Sequence, residues 1–255
     1  MKPDKIAEIL NKKIPLAYSK TYCEKFDAYD NSGFLVNAGK QTAKILFSLD
    51  LSFRTVKKAK ETGADMIVTH HPCIYRPIKS IDANEPIGLC MANGISVYSM
   101  HLNLDVSENG IDENLAKMLG AEDFTVCEEI EKGVGYGKLF SIKETKLKDF
   151  VEKIKKDFHT DRVFVYGDEN AKVENIGSFC GGGYETALKY ADKADTVVTS
   201  DVPHHALLKL VENNKNVVVL THYACETYPF FKVYESLKDC FDGTRCEFFI
   251  DERFI

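Results

Sequence analysis

Short runs of β-branched residues alternate with amphipathic helical patterns along the whole chain, and this alternation constrains the fold more than any other feature. Such alternation is typical of α/β proteins, in which helices cover the faces of a largely buried, mixed sheet. The predicted strands cover residues 44–49, 66–69, 95–100, 138–142, 162–166, 175–179, 196–199, 217–220 and 246–250.

Several helix ends are marked by capping residues. Ser52 is a predicted N-cap for a helix that stops at Gly63, and a second helix over 108–119 stops at Gly120. Asp201 is the predicted N-cap of a third helix with Pro203 in its first turn. Further helices are predicted over 143–156, with a basic solvated face, and over 226–239.

The chain also contains two pairs of similar segments. Residues 63–70 (GADMIVTH) resemble 193–200 (KADTVVTS), and residues 95–101 (ISVYSMH) resemble 216–222 (NVVVLTH). Buried strands resemble one another because Val and Ile dominate them, which is the simpler explanation. Asp105 lies four residues after His101, and Glu226 lies four residues after His222. This shared spacing favours a true duplication. We therefore predict two similar linked α/β domains, 1–126 and 127–255, with the C-terminal segment able to pack back on the first.

Composition limits the classes of function. The net charge of −6 argues against a broad nucleic-acid or membrane surface. No apolar run reaches the roughly 18 residues that a transmembrane helix needs, and the N-terminus lacks the apolar centre of a signal peptide. The eight cysteines form no C-x-x-C pair, as expected of small buried side chains in a reducing compartment. A cytoplasmic protein is the expectation.

Histidines and acids concentrate at the predicted strand ends. His70 and His71 end one strand just before Pro72, where a turn allows both to serve one site. The segments His101 to Asp105 and His222 to Glu226 each follow another strand. An ordinary strand-to-helix turn with a capping acid explains each segment alone, but not their concentration. Carboxyl ends of strands are where ligands usually bind in such sheets.

Imidazole and carboxylate donors without thiolates suit zinc, manganese, iron or cobalt. Five such ligands, one carboxylate able to bridge, can hold two ions that activate water. A second candidate is the run Gly181, Gly182 and Gly183 before a helix, which suits backbone contacts to a phosphate or simply a tight turn. His204 and His205 follow Asp201 in the first turn of a helix, where cations are disfavoured, and are expected to be exposed or to contact the ligands rather than to bind metal themselves. His205 is a candidate for substrate binding.

These motifs together resemble the Nif-three-like family, known in bacteria as GTP cyclohydrolase I type 2. Residues 29–34 (YDNSGF) are similar to the family's W-D-N-x-G-L, with tyrosine in place of tryptophan. The resemblance continues nearly end to end, through 63–65 (GAD), 69–72 (THHP), 101–105 (HLNLD), 180–183 (CGGG), 199–201 (TSD) and 222–226 (HYACE). The chain departs from the family at Ser200, Thr221 and Cys225, none of which is an expected ligand.

The resemblance implies two linked α/β domains, a pair of divalent cations (zinc, manganese or iron) and a homohexameric ring. It places the metal ligands at His70, His71, Asp105, His222 and Glu226. His101 is then a neighbour of the ligands, and we predict that it transfers protons.

The activity implied is hydrolysis of GTP to formate and 7,8-dihydroneopterin triphosphate. Two alternatives stay open. One is a dinuclear phosphoesterase acting on nucleotides, and the other is a non-catalytic adaptor with structural metals.

Overall fold

The fold was obtained as a computed structural model that describes residues 1–255. It contains ten α-helices: α1 Pro3–Lys13, α2 Leu16–Phe26, α3 Phe53–Thr62, α4 Pro86–Asn93, α5 Leu102–Val106, α6 Ile111–Leu119, α7 Leu147–Asp157, α8 Tyr184–Tyr190, α9 His204–Glu212 and α10 His222–Leu237. The eleven strands are β1 Gly33–Val36, β2 Lys44–Ser48, β3 Met66–Thr69, β4 Ser96–Ser99, β5 Thr125–Glu131, β6 Val134–Lys146, β7 Val163–Tyr166, β8 Lys172–Ser178, β9 Thr196–Thr199, β10 Asn216–Leu220 and β11 Arg245–Phe249.

The chain forms two compact units. The first contains Met1–Ser107 and Phe230–Asp251, and the second contains Glu108–Pro229 and Glu252–Ile255. Residues 108–126 therefore belong to the second unit rather than to the first. The division at residue 126 stays a prediction about two homologous halves, since the compact units are divided at other residues.

The first unit is built on a five-stranded sheet in the order β1-β4-β3-β2-β11. Strands β11, β2, β3 and β4 are parallel, and β1 pairs with β4 in the antiparallel sense. All four residues of β3 (MIVT) and of β4 (SVYS) are buried, so both strands are covered on both faces of the sheet. Part of the core forms where α3 and α4 pack on the sheet, through Leu46, Val56, Ala59, Ile67, Cys90 and Val97.

The second unit has a six-stranded sheet in the order β5-β6-β8-β9-β10-β7. Strands β8, β9 and β10 are parallel, whereas β5, β6 and β7 pair with their neighbours in the antiparallel sense. Strands β9 and β10 lie inside the sheet, and nearly all of their residues are buried. Helices must therefore cover both faces of this sheet as well.

The two sheets share one topology. The order β1-β4-β3-β2 of the first sheet has its counterpart in β7-β10-β9-β8 of the second, with the same strand polarities. The connecting helices α3 and α4 of the first unit correspond to α8 and α9 of the second. The repeated segments in the sequence fall on β3 and β9, and on β4 and β10. The predicted internal duplication is therefore visible in the connectivity.

All nine predicted strands are present, and β1 and β5 were not predicted. The helix after Ser52 is confirmed: the Thr55 backbone amide donates to Ser52 Oγ over 3.1 Å, and Gly63 ends the helix at φ 69°. The helix predicted over 108–119 begins only at Ile111, because Gly110 precedes it in extended backbone. In the predicted helix over 143–156, the residues before Leu147 belong instead to β6.

Two helix starts near the candidate site also differ from prediction. Asp201 does not cap α9, whose N-cap is Pro203, because the Asp201 carboxylate contacts His222 instead. Helix α10 begins at His222, one turn before the predicted Glu226. His222 and Glu226 thus lie one turn apart on the same helix face.

No helix in the structure combines the length and the apolar character that crossing a membrane requires.

Candidate metal centre

Two adjacent histidines follow β3 at the carboxyl edge of the first sheet. His70 is fully buried, and the side chain of His71 is 25% exposed. The backbone turns here because Thr69 Oγ1 donates to the His71 carbonyl (2.8 Å) and Ser99 Oγ donates to the His70 carbonyl (2.7 Å). The two ring centroids lie 4.8 Å apart. The strand end therefore places both imidazoles in one site, as the sequence predicts.

The next parallel strand, β4, supplies two more polar groups. His101 follows β4, and Asp105 lies in the first turn of α5. One donor atom from each of His70, His71 and His101 lies within 4.8 Å of the other two, and His70 Nε2 is 3.5 Å from Asp105 Oδ1. The predicted proton-transfer residue His101 is therefore a member of the same cluster as the two expected ligands.

Each of these histidines has an oxygen acceptor at Nδ1. A carbonyl or an ionised carboxylate can only accept, so Nδ1 carries the proton and Nε2 is left as the metal-binding nitrogen. The contacts are His70 to the Met100 carbonyl (2.8 Å), His71 to Asp50 Oδ1 (2.7 Å) and His101 to Asp30 Oδ1 (2.8 Å). This arrangement is the usual one around metal-bound histidine, since it fixes both tautomer and ring orientation.

Asp30 is held more firmly than an ordinary acceptor. Its side chain is 2% exposed, and its carboxylate also accepts from Ser19 Oγ (2.5 Å) and Ser32 Oγ (2.6 Å). Burial raises the pKa of the Asp30 carboxyl, but the hydrogen bond and charge of His101 and the two serine hydroxyls outweigh it, so the pKa falls to about 2. Asp30 is therefore ionised at neutral pH and fixes the imidazole of His101.

The second unit carries a matching pair at the end of β10. His222 Nε2 lies 2.9 Å from Glu226 Oε2, and the Glu226 side chain is only 5% exposed. His222 Nδ1 contacts Asp201 Oδ2 over 2.5 Å, so this histidine too presents Nε2 to a ligand. The repeat places Ser200 and Asp201 where the first unit has His70 and His71. The two counterparts therefore have different roles: Asp201 orients His222, whereas His71 is itself an expected ligand.

The glycine run lies against this pair. Gly181 has a left-handed backbone (φ 58°), and a Cβ there would collide with Glu226 Oε1. Ser200 Oγ donates to the Gly181 carbonyl over 2.6 Å and holds the turn in place. A Cβ at Gly182 would meet nothing, whereas Gly183 is tightly packed. Close approach to Glu226 therefore explains Gly181, and the predicted phosphate contacts of Gly181, Gly182 and Gly183 stay a prediction.

The tandem histidines of α9 lie apart from these contacts. His204 and His205 are both exposed, as expected. The His205 ring meets the Tyr184 ring edge-on, with centroids 6.2 Å apart. The role of His205 in substrate binding stays a prediction.

Three acids that orient histidines were not predicted: Asp30, Asp50 and Asp201 as an acceptor rather than a cap. Asp50 had a usable signal, because it follows β2, a parallel neighbour of β3, and so ends at the same sheet edge. Asp30 lies in the YDNSGF motif, but its contact spans 71 residues of sequence. No local pattern predicts such a contact.

The residues present fit divalent metal ions. A histidine nitrogen and a carboxylate oxygen bound to one ion at about 2.0–2.2 Å lie roughly 3.4 Å apart at a tetrahedral angle. The 3.5 Å separation of His70 and Asp105 is of that size, whereas the 2.9 Å separation of His222 and Glu226 is shorter and equals a direct hydrogen-bond distance. Asp105 and Glu226 are buried, and burying a carboxylate is costly unless opposite charge compensates it. A cation would supply that charge.

Comparison with known proteins identifies the family. The model of the Duf34/NIF3 (NGG1p interacting factor 3) family matches residues 1–253. The chain belongs to the Duf34/NIF3 family. The resemblance inferred from the motifs is therefore confirmed.

Individual relatives and solved structures are similar to most of this chain. A Methanocaldococcus jannaschii protein named GTP cyclohydrolase 1 type 2 homolog is 31% identical over 221 residues, which cover 84% of this chain and 88% of the relative. The solved structure of reduced HcgD from the same organism is 28% identical, covers 97% of both chains and has a TM-score of 0.80. A Bacillus cereus protein related to NIF3 has a TM-score of 0.85 at 18% identity, over 98% of this chain and 96% of that one.

Proposed function

We propose that this Duf34/NIF3 protein is a metal-dependent hydrolase that converts GTP and water to formate and 7,8-dihydroneopterin triphosphate. The observation that carries the metal dependence is the orientation of the histidines, each held at Nδ1 by an oxygen so that Nε2 presents a lone pair. The nucleotide substrate is proposed from the name of the relatives, GTP cyclohydrolase 1 type 2 homolog.

The proposed ligands are those predicted from the sequence. His70, His71, Asp105, His222 and Glu226 would hold divalent cations such as zinc, manganese or iron, two per chain. Bound divalent cations make water a nucleophile near neutral pH and stabilise developing negative charge. Asp50 and Asp201 would fix the rings of His71 and His222 through their Nδ1 hydrogen bonds.

His101 is the proposed proton carrier. Opening the guanine imidazole ring requires a proton at the departing ring nitrogen, and a positioned imidazole can deliver it. Ionised Asp30 accepts a hydrogen bond from the Nδ1–H of His101 and stabilises the imidazolium whenever Nε2 is also protonated. Asp30 is a positioning residue, because it touches His101 and acts through it.

We also place the protein in the cytoplasm. None of its eight cysteines forms a disulfide bond, which fits a reducing compartment.

A product assay tests this function. The purified protein is stripped of metal and reconstituted with zinc, manganese or iron in turn, and then supplied with several nucleotides. Formate release from GTP is the expected result, and Asp105→Asn should abolish it. His204→Ala is the matched control, because His204 is exposed and outside the ligand set. Phosphate release without formate would indicate the phosphoesterase instead. Neither product with any metal would indicate the adaptor.

A further inference from the structure

An exposed aromatic and cationic cluster lies beside His101 in the first unit. It consists of Tyr29, Tyr75 and Arg76, and we refer to it as the aromatic platform. Tyr75 is 43% exposed, so its ring is accessible to a ligand. Its ring meets the His101 ring edge-on at 89°, with centroids 6.0 Å apart. The platform is therefore a direct neighbour of the proposed proton carrier.

The platform is held in place although Tyr75 is exposed and Tyr29 only half-buried. The Tyr75 hydroxyl donates to the Tyr29 carbonyl (2.8 Å), and Asn31 Nδ2 donates to the Ile74 carbonyl (2.6 Å). The two tyrosine rings meet edge-on at a centroid distance of 5.3 Å. Two hydrogen bonds and one ring contact thus fix a segment that has no regular secondary structure.

One short stretch fixes both the platform and the proton carrier. Three consecutive residues make these contacts: the Tyr29 carbonyl accepts from Tyr75, Asp30 accepts from His101, and Asn31 donates to the backbone carbonyl before Tyr75. A ligand resting on Tyr75 would therefore have a fixed position relative to His101. Such preorganisation is what a reaction needs when a proton must reach one particular ring atom.

Arg76 gives the platform a positive charge. Its guanidinium lies over the Tyr29 ring at 4.2 Å from the centroid and 5.7 Å from that of Tyr75. Arg76 is exposed and forms no ion pair, so a carboxylate does not neutralise it. A guanidinium stacked on a ring keeps its N–H donors at its edge, where they match the oxygens of a phosphate.

We propose that the aromatic platform is the nucleotide-binding part of the active site, with Tyr75 stacking the purine base and Arg76 binding a phosphate. This inference rests on the proposed function, because it concerns the substrate of the same site. Aromatic rings stack on any base, and the stacked guanidinium adds recognition of the anion. The pairing of a π-face with a cation suits a purine nucleoside triphosphate better than a neutral or purely apolar ligand.

Equilibrium binding to the metal-reconstituted protein tests the proposal. Calorimetry is done with GTP, guanosine and inorganic tripolyphosphate as separate probes. Tyr75→Ala should lower the affinity for guanosine and GTP about tenfold, the order expected for loss of one stacked base. The affinity for tripolyphosphate should be unchanged. Arg76→Ala should weaken GTP and tripolyphosphate about tenfold and leave guanosine unchanged. Tyr75→Phe keeps the ring and should bind guanosine within about threefold of the wild type.

Controls separate binding from general damage. Phe53→Ala and Arg245→Ala remove an exposed aromatic residue and an exposed arginine elsewhere and should change none of the three affinities. The metal content and thermal midpoint of each variant establish that it is folded and loaded. Equal loss for all three probes would show a merely structural role and overturn the proposal. Unchanged affinities in both alanine variants would overturn it as well.

The outcomes also separate this inference from the proposed activity. Probe-selective losses together with no formate release would support the platform and reject the cyclohydrolase. Formate release by the wild type, combined with unchanged probe affinities in Tyr75→Ala and Arg76→Ala, would support the cyclohydrolase and reject the platform. Where turnover is measurable, Tyr75→Ala should raise KM more than it lowers kcat, because the stacking is present before the chemical step.

Discussion

At the residue scale, one hydrogen-bond pattern recurs at His70, His71, His101 and His222. In each, an oxygen acceptor occupies Nδ1, although the acceptors come from unrelated places in the chain. The pattern does not distinguish a ligand from a proton carrier, because both need a fixed ring. His101 and His222 are also counterparts in the internal repeat, each ending a strand four residues before an acid.

Substituting these two counterparts should separate their roles. His101→Ala should keep two metal ions per chain and lose turnover on the order of 10²–10⁴-fold, the usual effect of a missing general acid or base. His222→Ala should lose metal as well as turnover, because Glu226 alone cannot hold the ion. Elemental analysis and product assays on the two variants, measured side by side, decide between the roles. If folded His101→Ala loses a metal ion, His101 is a ligand and the symmetric interpretation of the repeat is right.

Asp30 should make the stability of the protein depend on acid pH. Its folded pKa of about 2 lies below the ordinary 3.8. The stabilising contribution is therefore complete above pH 3.8 and is lost as pH falls through about 2. Its size is about 2 kcal/mol of unfolding free energy, from 1.36 kcal/mol for each pKa unit. Urea unfolding of metal-free wild type and Asp30→Asn should differ by that amount at pH 5 and converge near pH 2. A pH-independent difference would contradict the assignment.

At the element scale, the central parallel strands were predictable and some edge strands were not. Strands β3 (MIVT) and β9 (TVVT) are buried on both sides and are rich in β-branched and apolar residues, so the sequence alone locates them. Strand β5 (TVCEEIE) has exposed and buried residues in mixed order and reads as an acidic linker. It becomes a strand because β6 supplies its backbone partners across a tight turn at Gly133. That pairing depends on backbone geometry more than on side-chain polarity.

The candidate site divides in the same way. The five expected ligands lie at strand ends or one turn beyond, where the sheet rule and the family motifs locate them. The acceptors that orient the ligand histidines and His101 are supplied through contacts between residues 21 to 71 positions apart. Such contacts depend on how the strands are ordered in the sheet, and local periodicity does not predict strand order. The aromatic platform was missed for the same reason, since 46 residues separate Tyr29 from Tyr75.

A buried ion pair joins elements of the second unit behind the glycine run. Lys138 on β6 and Asp112 on α6 are 1% and 0% exposed, with Nζ and Oδ2 2.9 Å apart. Asp112 Oδ1 also accepts the Cys180 backbone amide, which immediately precedes Gly181. The pair therefore anchors the turn that packs against Glu226.

Breaking the Lys138–Asp112 pair should destabilise the protein strongly. Asp112→Ala leaves the Lys138 ammonium buried without its carboxylate and should lower the unfolding free energy by about 3–5 kcal/mol. Replacing both residues, as Asp112→Leu with Lys138→Met, should recover most of that loss, because apolar pairs of similar volume are tolerated. Chemical denaturation of the single and double variants measures both values. A single variant as stable as the wild type would show that the pair is not desolvated.

At the scale of the whole molecule, the assembly is a prediction from the family resemblance. Six copies of the 28.7 kDa chain should form one particle in solution. Exposed apolar side chains at Phe164, Val165 and Tyr166 on the edge strand β7 are compatible with burial against another copy. Light scattering across a range of concentrations measures the mass. A monomer at every concentration would reject the ring.

Metal binding is the central claim, and metal content tests it most directly. The protein is purified without oxygen, reconstituted with zinc, manganese or iron, freed of unbound ions and analysed for metal per chain. Five nitrogen and oxygen ligands with two buried carboxylates predict two ions per chain, and occupancy should fall in acid as the histidines take up protons. A value of one or less with every metal tested would contradict the dinuclear site.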